Sequence, residues 1–336
     1  SKLSDDAGIT TEFSMLLTFA LAIWAASGDP LPALSCGAVV VALLGHKKSL
    51  HKLLKCISPK AFYSGITLLL ISVVVLPLLP NEGYGPWQAL NPYWLWWMVV
   101  LISGLSFIGY LFTQLLGERR GTLITAIAGG LASSTAVTLT MARFAKKNSQ
   151  SVIYASGMLL ACSIMFPRVL IEVFVVNREL LPLLWPPILL MFAGLLTVIT
   201  LMYRQHKRNP PSETGEITIN NPLQLTTAIQ FGILLAVILL LAEAMKNWFG
   251  DAGIYGLSII SGLMDVDAIT LSLSRSAQSE LSRQVAATGI ILACVSNTLL
   301  KGIMFASVAG IKLHYRYAVY MILSVIPGLL YAFWQF

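Results

Sequence analysis

Apolar stretches long enough to cross a bilayer recur along this chain, near residues 10–27, 31–45, 61–79, 93–116, 151–176, 180–203, 223–246, 284–310 and 315–335. A crossing helix needs roughly 20 apolar residues. The runs are continuous and do not alternate, which excludes a β-barrel. Only 11% of residues are charged, where a soluble domain carries about 25%. The expected fold class is therefore an all-α polytopic membrane protein, with the lipid bilayer as its first partner. The stretch at 31–45 is short and is expected to extend through the loop that follows it.

Between these stretches the chain repeats itself. Residues 127–143 read IAGGLASSTAVTLTMAR and residues 259–275 read IISGLMDVDAITLSLSR. A shift of 132 puts Gly130 on Gly262, Ala136 on Ala268, Thr138 on Thr270 and Arg143 on Arg275. Where the first copy has Ser133 and Thr135, the second has Asp265 and Asp267. Cys162 and Cys294 are related by the same shift, and both read as small packing residues. No cysteine pair has zinc spacing.

Topology follows from the basic residues. Lys47, Lys48, Lys52, Lys55 and Lys60 mark an inside loop. Residues 80–92 carry no Lys or Arg, and they and the start of the next helix carry Tyr84, Trp87, Tyr93, Trp94, Trp96 and Trp97, an interfacial aromatic belt on the outside. If 122–143 and 255–275 cross fully, the positive-inside bias nearly vanishes. If each enters and leaves on one face, only Arg178, Lys246, Arg275 and Arg283 fall outside. The re-entrant arrangement is therefore expected. Gly129-Gly130 and Ser261-Gly262 are the expected breaks, because Gly is a poor helix former. Ser133 and Asp265 are suited to cap the helix that follows.

Three crossings between equivalent points invert the second repeat. The expected architecture is about nine crossing helices plus two broken re-entrant segments: N-terminal helices in 1–90, repeat one in 91–209 and an inverted repeat two in 210–336. A parallel duplication with eleven crossings is the alternative. Inverted repeats with broken helices meeting at the midplane are characteristic of secondary transporters.

Acids inside a membrane are costly and point to function by default. Asp265 and Asp267 are the first candidates, as ion-binding groups and as metal ligands. Paired hard oxygens suit a proton, sodium or magnesium. Ser133, Ser134, Thr135 and Thr138 would supply neutral oxygens from the facing tip, with Thr270 from the same one. The competing structural reading is that Asp265 caps its helix and Asp267 lies in the first turn.

Asn297 and Lys301 share a helix face, and Lys301 is the expected counter-ion of the aspartates. Arg168 and Glu172, also four apart, suit a local ion pair, and Pro167 should bend their helix. Residues 204–222 read as an inside linker. There is no catalytic set and no nucleotide loop, so an enzyme is not expected. The net charge of +7 reflects cytoplasmic loops and not a nucleic-acid partner. No cofactor is expected beyond a bound cation, magnesium or sodium. The partners are a small ion and, by analogy with similar membrane proteins, a second copy in a homodimer.

The strings GLMDVDAITLSLS, GGLASSTAVTLTMA, LISGLSFIGYLFTQLLGERRG and NTLLKG resemble the large multi-spanning members of the MgtC/SapB family, in their C-terminal membrane domain of unknown function. The resemblance covers most of residues 10–310. It implies a bacterial or archaeal cytoplasmic (inner) membrane protein, and the family name suggests magnesium. The function expected is a secondary ion transporter or permease with a midplane site between two broken helices. The alternative is a non-transporting scaffold or regulator of a partner complex.

Overall fold

The computed structural model describes residues 10–28, 30–46, 58–116, 122–147, 151–206, 225–279 and 281–335. The lysine-rich loop at 47–57 and residues 207–224 of the linker lie outside the described residues. The chain divides into two compact units, Ser1–Ser58 and Pro59–Phe336. Both repeats, and the helix that precedes them, lie in the second.

The first unit holds α1 (Thr10–Ala26) and α2 (Pro30–Gly45), which pack on each other. At 17 and 16 residues both are apolar but at the short limit for a span. The second unit holds α3 (Pro59–Leu70), α4 (Pro92–Leu116), α5 (Thr122–Lys147), α6 (Ser151–Ser163), α7 (Met165–Val176), α8 (Leu181–His206), α9 (Leu225–Met264), α10 (Val266–Ser276), α11 (Arg283–Ala309) and α12 (Ile311–Gln335). Eight stretches among the described residues are long and apolar enough to cross a membrane. Large apolar side chains such as Phe112, Ile233, Leu330 and Phe333 face outward, as lipid contact requires and water would not tolerate over so wide an area. The chain is an all-α polytopic membrane protein.

Two of the long elements are not simple crossings. Ser133 inside α5 has extended backbone (φ −164°, ψ 99°), and so does Asp265 between α9 and α10 (φ −156°, ψ 135°). These breaks are equivalent under the repeat. A Cβ placed on Gly157 would lie 3.2 Å from the Met141 sulfur and 3.5 Å from the Ala126 Cβ. One placed on Gly289 would lie 2.7 Å from Leu273 and 2.7 Å from Ser258. All three residues of the second set are shifted by 132 from the first. In a straight helix residues fifteen apart are about 22 Å apart. Ala126 and Met141 reach one glycine of α6, so α5 folds back at Ser133. The second segment folds back at Asp265 in the same way. Gly250, with φ +60°, separates the crossing part of α9 from the arm of this second hairpin, a backbone that favours glycine.

The breaks fall three residues beyond the expected glycine pairs. Gly130 and Gly262 remain helical, and their role is close approach. A Cβ on Gly130 would lie 2.7 Å from the Ala161 Cα, and one on Gly262 2.6 Å from the Ala293 Cα. The break itself belongs to the capping residues. Ser133 Oγ accepts the N–H of Ala136 at 3.3 Å, and Asp265 Oδ1 accepts that of Asp267 at 3.3 Å. The bend near Pro167 appears as the interruption between α6 and α7 at Ile164, because proline clashes with the carbonyl four residues back.

Three full-length elements separate the hairpins: α6–α7, α8 and the first part of α9. An odd number of crossings brings the hairpins in from opposite faces. The second hairpin ends beside the aromatic belt, where the Arg275 guanidinium stacks 4.2 Å from the centre of the Trp94 ring. Asn177, at the end of α7, donates to the Ser274 carbonyl at 3.1 Å on the same face.

Candidate functional site

Each break exposes a carbonyl that its helix no longer uses, because the ladder is interrupted. The protein meets both with a side chain from a later helix of the same repeat. Arg168 Nη1 donates to the Leu131 carbonyl at 3.3 Å. Asn297 Nδ2 donates to the Gly262 carbonyl at 2.7 Å. The two side chains are not repeat-equivalent, since Asn297 aligns with Met165. They solve one problem with different chemistry.

The cations then cross over. Arg168 of repeat one pairs through Nη2 with Asp267 at the tip of repeat two. Lys301 of repeat two donates to Ser134 Oγ at the tip of repeat one, at 2.7 Å. Arg168 also pairs with Glu172 at 3.2 Å, the expected local bridge. It therefore links two acids and a carbonyl, which suits a planar guanidinium. The expected pairing of Lys301 with the aspartates is corrected. Arg168 takes Asp267, and Lys301 has no carboxylate salt bridge among the described residues. The identity of the partner depends on which helix lies across the tips, and charge sign alone leaves two choices.

A cavity of about 420 Å³ lies between the tips. Ser133, Ser134 and Thr135 line it from one side, and Asp265 and Asp267 from the other, with Arg168, Asn297 and Lys301 completing the polar wall. Thr138 and Thr270 are fully buried and do not line it, contrary to expectation. Thr138 instead donates to the Ser134 carbonyl at 2.8 Å. Both threonines lie one turn beyond the tip residues, deeper along the helix axis and enclosed by the bundle. Glu172 is fully buried behind Arg168 and is not in the lining.

The two aspartates differ in state. Asp267 is held by Arg168, so the pair does not form the open two-carboxylate cage expected for a metal. No group of three or more His, Cys, Asp or Glu placed to hold a metal occurs among the described residues. Among the described residues, Asp265 keeps only its cap bond, and Asn297 Oδ1 is buried with no hydrogen-bond partner. Sequence reasoning missed the wall supplied by α4 and α9: Ile102, Ser103, Ser106, Thr227 and Phe231. The spacing of Ser103 and Ser106 on an otherwise apolar span was the available sign.

No solved structure matches the chain. A protein of Aquifex aeolicus (strain VF5), described as "Uncharacterized protein", is 39% identical over 181 residues, covering 53% of this chain and 78% of that protein. Residues 100–309 match the family described as Domain of unknown function (DUF4010). That segment contains both hairpin tips and every polar residue of the cavity wall named above. The chain belongs to the DUF4010 family.

Proposed function

We propose that this chain is a secondary transporter or permease for a small ion, working by alternating access at the cavity between the tips. The observation that carries this reading is the meeting of two repeat-related, broken hairpins on one cavity walled by charges of both signs. Rocking of one hairpin against the other would open it to either face. Asp265, Asp267 and Glu172 outnumber Arg168 and Lys301 by one, which leaves a place for a proton or a sodium ion. Magnesium demands several oxygen ligands in near-octahedral geometry, and the wall supports it least. The resemblance to the MgtC/SapB family and residence in a bacterial or archaeal cytoplasmic membrane belong to the same proposal. The Aquifex relative supports the prokaryotic setting.

The structural reading of Asp265 as a simple cap is separable by one substitution. Asn caps a helix as well as Asp, so Asp265→Asn keeps the cap and removes the charge. In proteoliposomes loaded with a pH dye, a sodium dye or a magnesium dye in turn, the wild type should pass at least one of these cations. The variant should pass it about tenfold more slowly or worse, as expected for loss of a charged ligand. Equal flux would leave Asp265 as a cap only.

A second reading has its own support. The Arg168 pairs with Asp267 and Glu172 are closed, as in a scaffold whose polar network is locked. Access separates the two. Ser106→Cys and Thr135→Cys, each in a background without native cysteines, should react with a membrane-impermeant maleimide from both faces. Protection from both faces would favour the scaffold.

A further inference from the structure

The cavity holds two ion couples in different states. Arg168 and Asp267 have closed on each other. Lys301 and Asp265 both line the cavity and are not salt-bridged. Lys301 is 4% exposed and its ammonium, with three N–H groups, donates to Ser134 Oγ at 2.7 Å and approaches the Met165 sulfur at 4.0 Å. It stands at the first turn of the half-helix that starts after Ser133, where the helix dipole is positive. A buried ammonium at that end of a helix calls for an anionic group.

Other groups lining the same cavity have the reverse character. Asp265 offers a carboxylate whose only hydrogen bond among the described residues is its own cap. Asn297 also lines the cavity; it is 95% buried, and its Oδ1 has no hydrogen-bond partner among the described residues. A buried acceptor and a carboxylate lining one cavity call for a donor, and an ammonium supplies one.

We propose that the cavity takes a small zwitterion of the α-amino-acid type, its carboxylate at Lys301 and Ser134 and its ammonium at Asp265 and Asn297. This rests on the permease reading and names its solute, with the cation of that reading as the co-transported ion. A lone inorganic anion would meet Lys301 but face Asp265. A lone metal cation would meet Asp265 but face Lys301. Only a solute bearing both signs satisfies both sets of groups. The volume of about 420 Å³ falls in the range of small-molecule sites and far exceeds what one ion fills. Ile102, Phe231 and Met264 supply an apolar wall for a short side chain.

The test is thermal unfolding of the purified full chain in detergent, with glycine, L-alanine or L-leucine as probes. Ethylamine and propionate serve as half-molecules carrying one charge each. At least one amino acid should raise the melting temperature in a saturable way, and neither half-molecule should do so at the same concentration. Lys301→Gln and Asp265→Asn should each weaken the apparent affinity about tenfold or more. Asp265→Asn keeps its cap and so remains informative if Lys301→Gln does not fold. Absence of a shift with every amino acid, or an equal shift with ethylamine or propionate, would overturn the proposal. The maleimide experiment on Ser106→Cys and Thr135→Cys distinguishes the two failures. Access from both faces without amino-acid binding removes the zwitterion and leaves the permease. Protection from both faces removes the permease itself.

Discussion

Arg168→Ala should cost the protein about 3–5 kcal/mol of stability, because it strands buried acids without their cation. Asp267 is 8% exposed and Glu172 is fully buried, and Arg168 bridges them. It also holds the Leu131 carbonyl at the first break. The loss would be read as a lower melting temperature of the purified protein, with less monodisperse material on size exclusion. Adding Asp267→Asn and Glu172→Gln to Arg168→Ala should recover most of it, because the charges are then removed together and not orphaned. Arg168→Lys should recover little, since an ammonium cannot reach both acids and the carbonyl in one geometry. A single variant within about 0.5 kcal/mol of wild type, the usual range for surface changes, would show that the Arg168 network does not hold the tips.

The second large effect is steric. Gly130→Val and Gly262→Val place a branched side chain where even a Cβ overlaps the Ala161 or Ala293 backbone. Backbone cannot rotate aside as a side chain does, so each should cost about 3 kcal/mol or more, at or above the upper end for overpacking. Gly256 lies in the same hairpin as Gly262 and has open space around its Cβ position. Gly256→Ala should be neutral or stabilising by up to about 1 kcal/mol from helix propensity. If all three substitutions behave alike in thermal unfolding, close packing of the hairpins on α6 and α11 is not what holds them.

Much of the arrangement was legible without coordinates. The duplicated string, its shift of 132 and the distribution of Lys and Arg were enough to expect two hairpins entering from opposite faces. These signals are local or additive: a sequence repeat implies a structural repeat, and each loop charge biases topology independently. The placement of the break was less legible. Gly129-Gly130 looked like the weak point, because glycine propensity is a property of one residue. The fold spends that glycine on close contact with Ala161, a residue thirty-one positions away, and leaves the break to the capping residue.

The cavity wall shows the same division. Asp265, Asp267, Ser133, Ser134 and Thr135 reach one cavity as their positions in the repeat suggested. Thr138 and Thr270 do not, because each lies one helical turn deeper, about 5.4 Å along the axis from the tip residues, where the packed bundle encloses it.

By itself the sequence determined the class of fold, the duplication and the set of charged residues that had to be sheltered inside it. Hydrophobic length and loop charge act residue by residue, so a linear reading can sum them. Only the tertiary structure decided which cation meets which acid. Arg168 closes on Asp267, and Lys301 meets Ser134 with no carboxylate at salt-bridge distance among the described residues, because the inverted repeats lay each helix against the other's tip. That pairing depends on distances between residues about a hundred or more positions apart, and the chain carries no local record of them.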